Sequence, residues 1–164
     1  MKETNYLSLK PDIIIILIGT NNVIDKYVPK KTKNDFETLL DYILENIPST
    51  SILFVSTIPD INPNIKKVYS WFSYYRYSEE LDTIYSDEEV KIQVKESINQ
   101  INSNIIALVK ERQKVGKNIR VVDINRIIND VNSQLSDGVH PNDIGFKAIG
   151  EYLAKIINNY LNGK

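Results

Sequence analysis

Pro11-Asp12-Ile13-Ile14-Ile15-Ile16-Leu17-Ile18-Gly19-Thr20-Asn21-Asn22 is the stretch on which the reading of the fold turns. Ile13 to Ile18 are consecutive aliphatic residues with no polar side chain among them. A run that short and that uniformly apolar has no face to leave in water. It predicts a strand over 12–18 covered on both faces, the pattern of parallel sheets. The run stops at Gly19, and three short polar residues follow where the strand would leave the sheet at its C-terminal end. Ligands of open parallel sheets bind at that end. An Asn placed there can aim its side-chain N–H at negative charge developing on an oxygen. Gly and Asn also dominate turns, and on this segment alone a plain turn is the simpler reading.

Outward from this strand the chain alternates helix and strand. A helix is predicted over about 33–47, with Phe36, Leu39, Leu40, Ile43 and Ile47 at helical spacing, Asn34 or a neighbour as cap and Pro48 as stop. A second strand spans 52–57 and ends before Pro59. A long helix over about 87–114 carries the stripe Val90, Val94, Ile98, Ile101, Ile105, Leu108 and Val109. Ser86 or Asp87 is its expected N-cap, and Gly116 its stop. A third strand over 119–124, a short helical segment over 125–132 and a last helix over about 142–161, capped by Asn142, complete the pattern. This alternation implies an α/β fold: a parallel sheet with right-handed crossovers and helices on both faces. The length prior makes residues 1–164 one domain.

Composition narrows the function. The chain is 42% hydrophobic and 25% charged with a net charge of −1, and its lysines alternate with acids along the helices. There is no basic field for nucleic acid or an anionic membrane surface. With no cysteine and one histidine, neither a disulfide nor a Cys- or His-based metal site is expected. No apolar run is long enough to span a bilayer, and no signal peptide is visible.

The one histidine lies in Ser136-Asp137-Gly138-Val139-His140-Pro141-Asn142-Asp143, three residues after an aspartate in a loop that turns into a helix. A carboxylate that fixes an imidazole's tautomer and stabilises its protonated form makes it a general base near neutral pH. The plain alternative is a solvated surface histidine at a helix start.

Taken together, Gly19-Thr20-Asn21-Asn22 and Asp137-Gly138-Val139-His140 resemble the third (G-x-N-D) and fifth (D-x-x-H) blocks of the SGNH, or GDSL-type, serine hydrolases. Their order and the rhythm between them extend the resemblance over nearly the whole chain. The Lys-Pro-Asp before the strand and the Ser-Asp-Gly-Val-His-Pro-Asn-Asp at the end are similar to the branch that deacetylates plant polysaccharides such as xylan. The resemblance implies a three-layer, flavodoxin-like parallel sheet ordered 2-1-3-4-5, of which this chain supplies the third, fourth and fifth strands. It implies His140 as base, Asp137 as its orienter, Asn21 as oxyanion donor with Gly19 shaping the approach, and no metal or organic cofactor. Two parts of the family pattern are missing. No Gly-Asp-Ser occurs anywhere, so no nucleophile is identified, and the glycine of the second block is absent. Ser56 reads as a buried strand end and Ser136 as a loop or capping residue. Asn22 stands where the family has Asp.

These gaps give the expectations their shape. The leading one is an ester hydrolase of carbohydrate or small-molecule esters, represented by the later part of its catalytic domain and nearly inert alone. The alternative is a non-catalytic carbohydrate-binding or oligomeric scaffold protein of the same fold. The aliphatic strand should have its outer edge covered, by a preceding segment or by a second copy of the chain. Between the second strand and the long helix, Trp71 and six further aromatics fall between Tyr69 and Tyr85. Trp71, Tyr74 and Tyr75 could pack a small satellite core, form an interface or wall a sugar-binding site. Secretion would follow only from action on polysaccharide.

Overall fold

The structure, a computed structural model, describes residues 6–24, 29–62, 77–78, 83–84 and 86–163. Three strands form a parallel sheet in the order β1 (Ile13–Ile16), β2 (Ile52–Ser56), β5 (Ile119–Val122). A minimal antiparallel pair, β3 (Tyr77–Ser78) and β4 (Thr83–Ile84), lies in the aromatic stretch, where no strand was expected. The helices are α1 (Thr20–Ile24), α2 (Pro29–Asn46), α3 (Asp87–Lys114), α4 (Ile124–Ile127), α5 (Val131–Gln134) and α6 (Asp143–Asn162), with a 3₁₀ turn at Tyr6–Leu9.

Side chains alternate across the sheet and divide the core in two. Ile14, Ile16, Leu53, Val55, Ile119 and Val121 pack towards α2 and α3, where the predicted stripe from Val90 to Val109 is buried. Ile13, Ile15, Ile52, Phe54 and Val122 pack towards α6 and the short helices before it. There Phe54 meets Tyr160 edge to face, with ring centroids 6.2 Å apart. The fold is therefore the expected three-layer α/β arrangement. On its α2–α3 side, Arg112 donates twice to the Asp41 carboxylate, at 2.9 and 2.8 Å, and pins the two helices together.

Several boundaries move for local reasons. Helix α2 begins at Pro29, an imide that suits a first helical position, so Asn34 lies inside it and is not its cap. Helix α3 has its expected limits: Ser86 and Glu89 form a reciprocal capping box. The predicted 125–132 segment is two one-turn helices, each capped by an aspartate, Asp123 and Asp130. Capping by Asp123 is also why β5 ends at Val122 and not at 124.

The largest correction concerns β1. A strand covered on both faces was expected over 12–18, but only Ile13–Ile16 pair, and only Ile16 is buried. Leu17 and Ile18 are 48% and 46% exposed. The cause is position: β1 is an outer strand, paired with β2 alone among the described residues. The Ile52 N–H donates to the Asp12 carbonyl. In a parallel ladder this turns the backbone groups of Ile14 and Ile16 towards β2 and those of Ile13 and Ile15 outwards. An apolar outer strand of this kind templates pairing with another chain. Sedimentation velocity on the 164-residue chain should show self-association, and Leu17→Lys, a charge beside that edge, should shift the distribution towards monomer without loss of helical signal. A wild-type chain that sediments as one well-behaved monomer contradicts this.

Candidate active site

Three segments meet at the C-terminal end of the sheet: the β1–α1 junction, the residues after β2 and the loop before α6. They enclose a cleft of about 440 Å³. Its walls are mainly apolar, formed by Leu17 and Ile18 after β1, Ile58 and Pro59 after β2, and Phe146, Ile149 and Leu153 of α6. Asn21 and His140 both line it, together with Ser56 and Thr57.

The Asp137–His140 loop is closed by its own backbone. Ser136 N–H donates to the His140 carbonyl at 2.8 Å, and Leu135 bridges Pro141. Gly138 makes the reversal at φ +88°, a region that disfavours side chains. Asn142 then caps α6, accepting from Ile144 and Gly145 N–H at 3.0 Å each, while its amide donates to the Ser133 carbonyl at 2.8 Å. Gly145 lets α6 lie against this loop: a Cβ there would sit 2.4 Å from the Gln134 carbonyl oxygen. Ser136, read as a loop residue, donates its hydroxyl to the His140 carbonyl.

Asp137 grips the histidine at two places. One oxygen accepts the backbone N–H of His140 at 2.9 Å and of Val139 at 3.1 Å; the other lies 2.9 Å from His140 Nδ1. Partial burial pushes the carboxyl's pKa upward, but the hydrogen bonds from His140 and Val139 outweigh it and hold it at about 2. Asp137 is thus ionised at neutral pH and can only accept. The Nδ1 facing it must then carry the proton, which leaves Nε2 of the neutral ring with its lone pair. The side chain is exposed at the cleft, as a base acting on substrate requires.

The other half of the site begins at Gly19, which has φ +119°. A Cβ there would lie 3.0 Å from Ile58 Cγ2 and 3.2 Å from Phe36 Cζ, so a side chain at this position would be crowded as well as strained in its backbone. Gly19 does not itself line the cleft; it shapes the bend that sends the chain into α1, where a plain turn was the alternative, with Asn21 at the cleft. Asn22 donates to the hydroxyl of the buried Thr32 across a long 3.5 Å. Ser56 is buried, as expected, at the end of β2. Trp71, Tyr74 and Tyr75 lie outside the described residues. Among the described residues no cluster of metal-ligating side chains occurs, and no helix is long and apolar enough to cross a membrane.

Sequence reasoning missed two amides that brace the site. Asn102 receives the Ile58 N–H at 2.8 Å and donates to the Ile58 carbonyl at 3.0 Å. Asn62 donates its N–H to the Gly138 carbonyl at 2.8 Å and its side chain to Asn132 at 2.7 Å. Asn102 left a signal: it is a polar residue on the buried stripe, one turn after Ile98 and one before Ile105.

The sequence profile described as GDSL-like Lipase/Acylhydrolase matches residues 1–153. The chain belongs to this family. GDSL-like lipases and acylhydrolases hydrolyse esters, and two comparisons agree with that membership. A multidomain esterase of Ruminococcus flavefaciens is 31% identical over 162 residues, which make up 98% of this chain and 17% of that protein. A family 3 carbohydrate esterase of Clostridium thermocellum superposes with a TM-score of 0.62 at 24% identity, over 92% of this chain and 58% of its own. One from Talaromyces cellulolyticus gives 0.66 at 18%, over 96% and 62%. The GDSL-like chain thus spans about three fifths of these solved esterases and a small part of the multidomain one.

Because the Asp137 pKa is lowered on folding, its contacts add stability at pH values above the ordinary carboxylate value of 3.8 and lose that contribution as the pH falls towards 2. Thermal midpoints of wild type and Asp137→Asn should therefore differ most near neutral pH and converge below pH 3; a gap that does not narrow contradicts the assignment. Gly145→Ala should lower stability by about 1–3 kcal/mol, the usual range for overpacking, as measured by denaturant unfolding.

Proposed function

We propose that this chain carries the base, its orienter and one oxyanion donor of an ester hydrolase that removes acetyl groups from carbohydrate. The observation that supports it is a single cleft lined by both Asn21 and an Asp137-braced His140. In this reading His140 Nε2 takes the proton of a serine hydroxyl as that oxygen attacks the ester carbonyl, then returns it to the leaving alcohol. Asp137 stabilises the imidazolium formed between the two transfers. The Asn21 amide donates to the oxyanion of the tetrahedral intermediate.

Among the described residues, Ser56 reaches the cleft wall but is 3% exposed at the end of β2, and Ser136 donates its hydroxyl to the His140 carbonyl, so neither is taken as the nucleophile. This reading assigns the nucleophile to a further segment that also pairs with the outer edge of β1. The apolar cleft wall at Leu17 and Ile18, beside that edge, supports this arrangement. The carbohydrate preference rests on the named substrates of the two solved esterases and on the loop Ser136 to Asp143.

Nucleophile and base act as a unit, and loss of either costs on the order of a millionfold in turnover. The 164-residue chain should thus hydrolyse p-nitrophenyl acetate no faster than its His140→Ala variant. A version extended upstream by a strand ending in Gly-Asp-Ser should release acetate from acetylated xylo-oligosaccharides. In that version His140→Ala should abolish turnover, and Asn21→Ala should reduce kcat by roughly 10²–10³. An inert extended chain, or activity that survives His140→Ala, contradicts the proposal and favours the non-catalytic scaffold.

A further inference from the structure

We infer that the segment Thr57–Asn62 is a rigid spacer that sets the distance between Asn21 and His140, and that Asn102 and Asn62 are the positioning residues holding its two ends. The inference rests on the reading of Asn21 and His140 as partners in one site.

The segment leaves the sheet after Thr57, whose N–H makes the last bond from this strand to β5, at the Val122 carbonyl. From there the backbone of Ile58 has no ladder partner, yet Ile58 is 2% exposed. An unpaired buried peptide group is costly, so these groups need a substitute strand. Asn102 supplies one: its side-chain amide accepts from the N–H and donates to the C=O of the same residue, as a neighbouring strand would. The Asn102 amide is itself buried within α3, and so is anchored to the largest element of the core.

The consequence reaches Asn21 by contact. Held at both backbone atoms, Ile58 packs its side chain beside Gly19, so close that a Cβ on Gly19 would lie 3.0 Å from Ile58 Cγ2. Gly19 is the bend from which α1 springs, and Asn21 is on its first turn. At the far end of the segment Asn62, 3% exposed, donates its N–H to Gly138, the residue between Asp137 and Val139 in the loop that carries His140. Its side chain is tied in turn to Asn132 of α5. The middle is fixed as well. Thr57 Oγ1 donates to Asp123 and accepts from the Asn125 N–H, and Asp60 accepts from Asn125 and pairs with Lys95. Thr57, Ile58, Asp60 and Asn62 are thus bonded to α3, α4, α5 and the Gly138 loop, and the ends of the segment reach the two halves of the cleft. An oxyanion donor works only when it sits within hydrogen-bond range of the oxygen the base's partner has attacked, so the length of this spacer fixes whether the two halves can act on one carbonyl.

The test uses the 164-residue chain and needs no turnover. His140 is the one histidine, so its ring Cε1–Hε1 signal in a carbon–proton correlation spectrum is unambiguous. The Asn21 side-chain amide pair is assigned by its loss in Asn21→Ala. Asn102→Leu, which keeps the branched shape and removes both bonds to Ile58, should shift or broaden the Asn21 pair and leave the His140 signal within its linewidth. Asn62→Ala keeps the backbone N–H to Gly138 but loosens that end of the segment by removing its side-chain tie to Asn132, and should do the reverse. If Asn102→Leu does not fold, Asn102→Ser serves in its place, with the same expectation at smaller amplitude. Arg112→Met, which loosens α2 against α3 at a distance from the cleft, is the control for general destabilisation and should move neither signal. Equal effects of the two asparagine variants on both signals, no effect of either, or the same pattern in Arg112→Met would overturn the inference. These outcomes are independent of hydrolysis: an extended chain without esterase activity would remove the proposed function and leave the spacer standing.

Discussion

The structure depends most on the way an ionised carboxylate constrains its neighbours. Asp137 can only accept, and it accepts three times: from two backbone N–H groups of its own loop and from the imidazole it faces. The first two close the loop; the third decides which nitrogen of His140 bears the proton. A four-residue segment thus orients its own imidazole, with the tautomer set by local geometry and not by a distant partner. Gly138 supplies the reversal, and the Asn142 cap joins the loop to the start of α6.

What the loop cannot supply is a place in the molecule. That comes from the parallel sheet, whose strand ends gather at one rim. Asn21 arrives there from β1, and Thr57 to Asn62 arrive from β2. Buried amides do the joining, because each segment that leaves a parallel sheet carries peptide groups that must be paired again. The same physics makes β1 the exposed member. Its outward backbone groups and the half-exposed Leu17 and Ile18 are what remains when an apolar strand has one neighbour.

Local patterns made the three-layer fold and the Asp-His pair legible in the sequence. The aliphatic run, the helical stripes and the D-x-x-H spacing each depend on residues close together in the chain. The Ser86 and Asn142 caps were legible for the same reason. The exposure of Ile13 to Ile15 was not, because strand hydrophobicity reports an intended environment and says nothing of where the strand lies in the sheet. The early start of α2 at Pro29, and the short helix formed by Thr20 to Ile24, turn on caps and tertiary packing that periodicity does not register. Asn102 and Asn62 were overlooked because their partners lie far along the chain, the Ile58 backbone 44 residues from Asn102 and the Asn132 side chain 70 residues from Asn62, and local spacing does not register such pairs.

Long-range nitrogen–proton correlation of the His140 ring, at a pH where the ring is neutral, tests the central claim most directly. The account predicts the pattern of a ring protonated at Nδ1, and the loss of that preference in Asp137→Asn. A ring protonated at Nε2, with Nδ1 unprotonated beside Asp137, would contradict it.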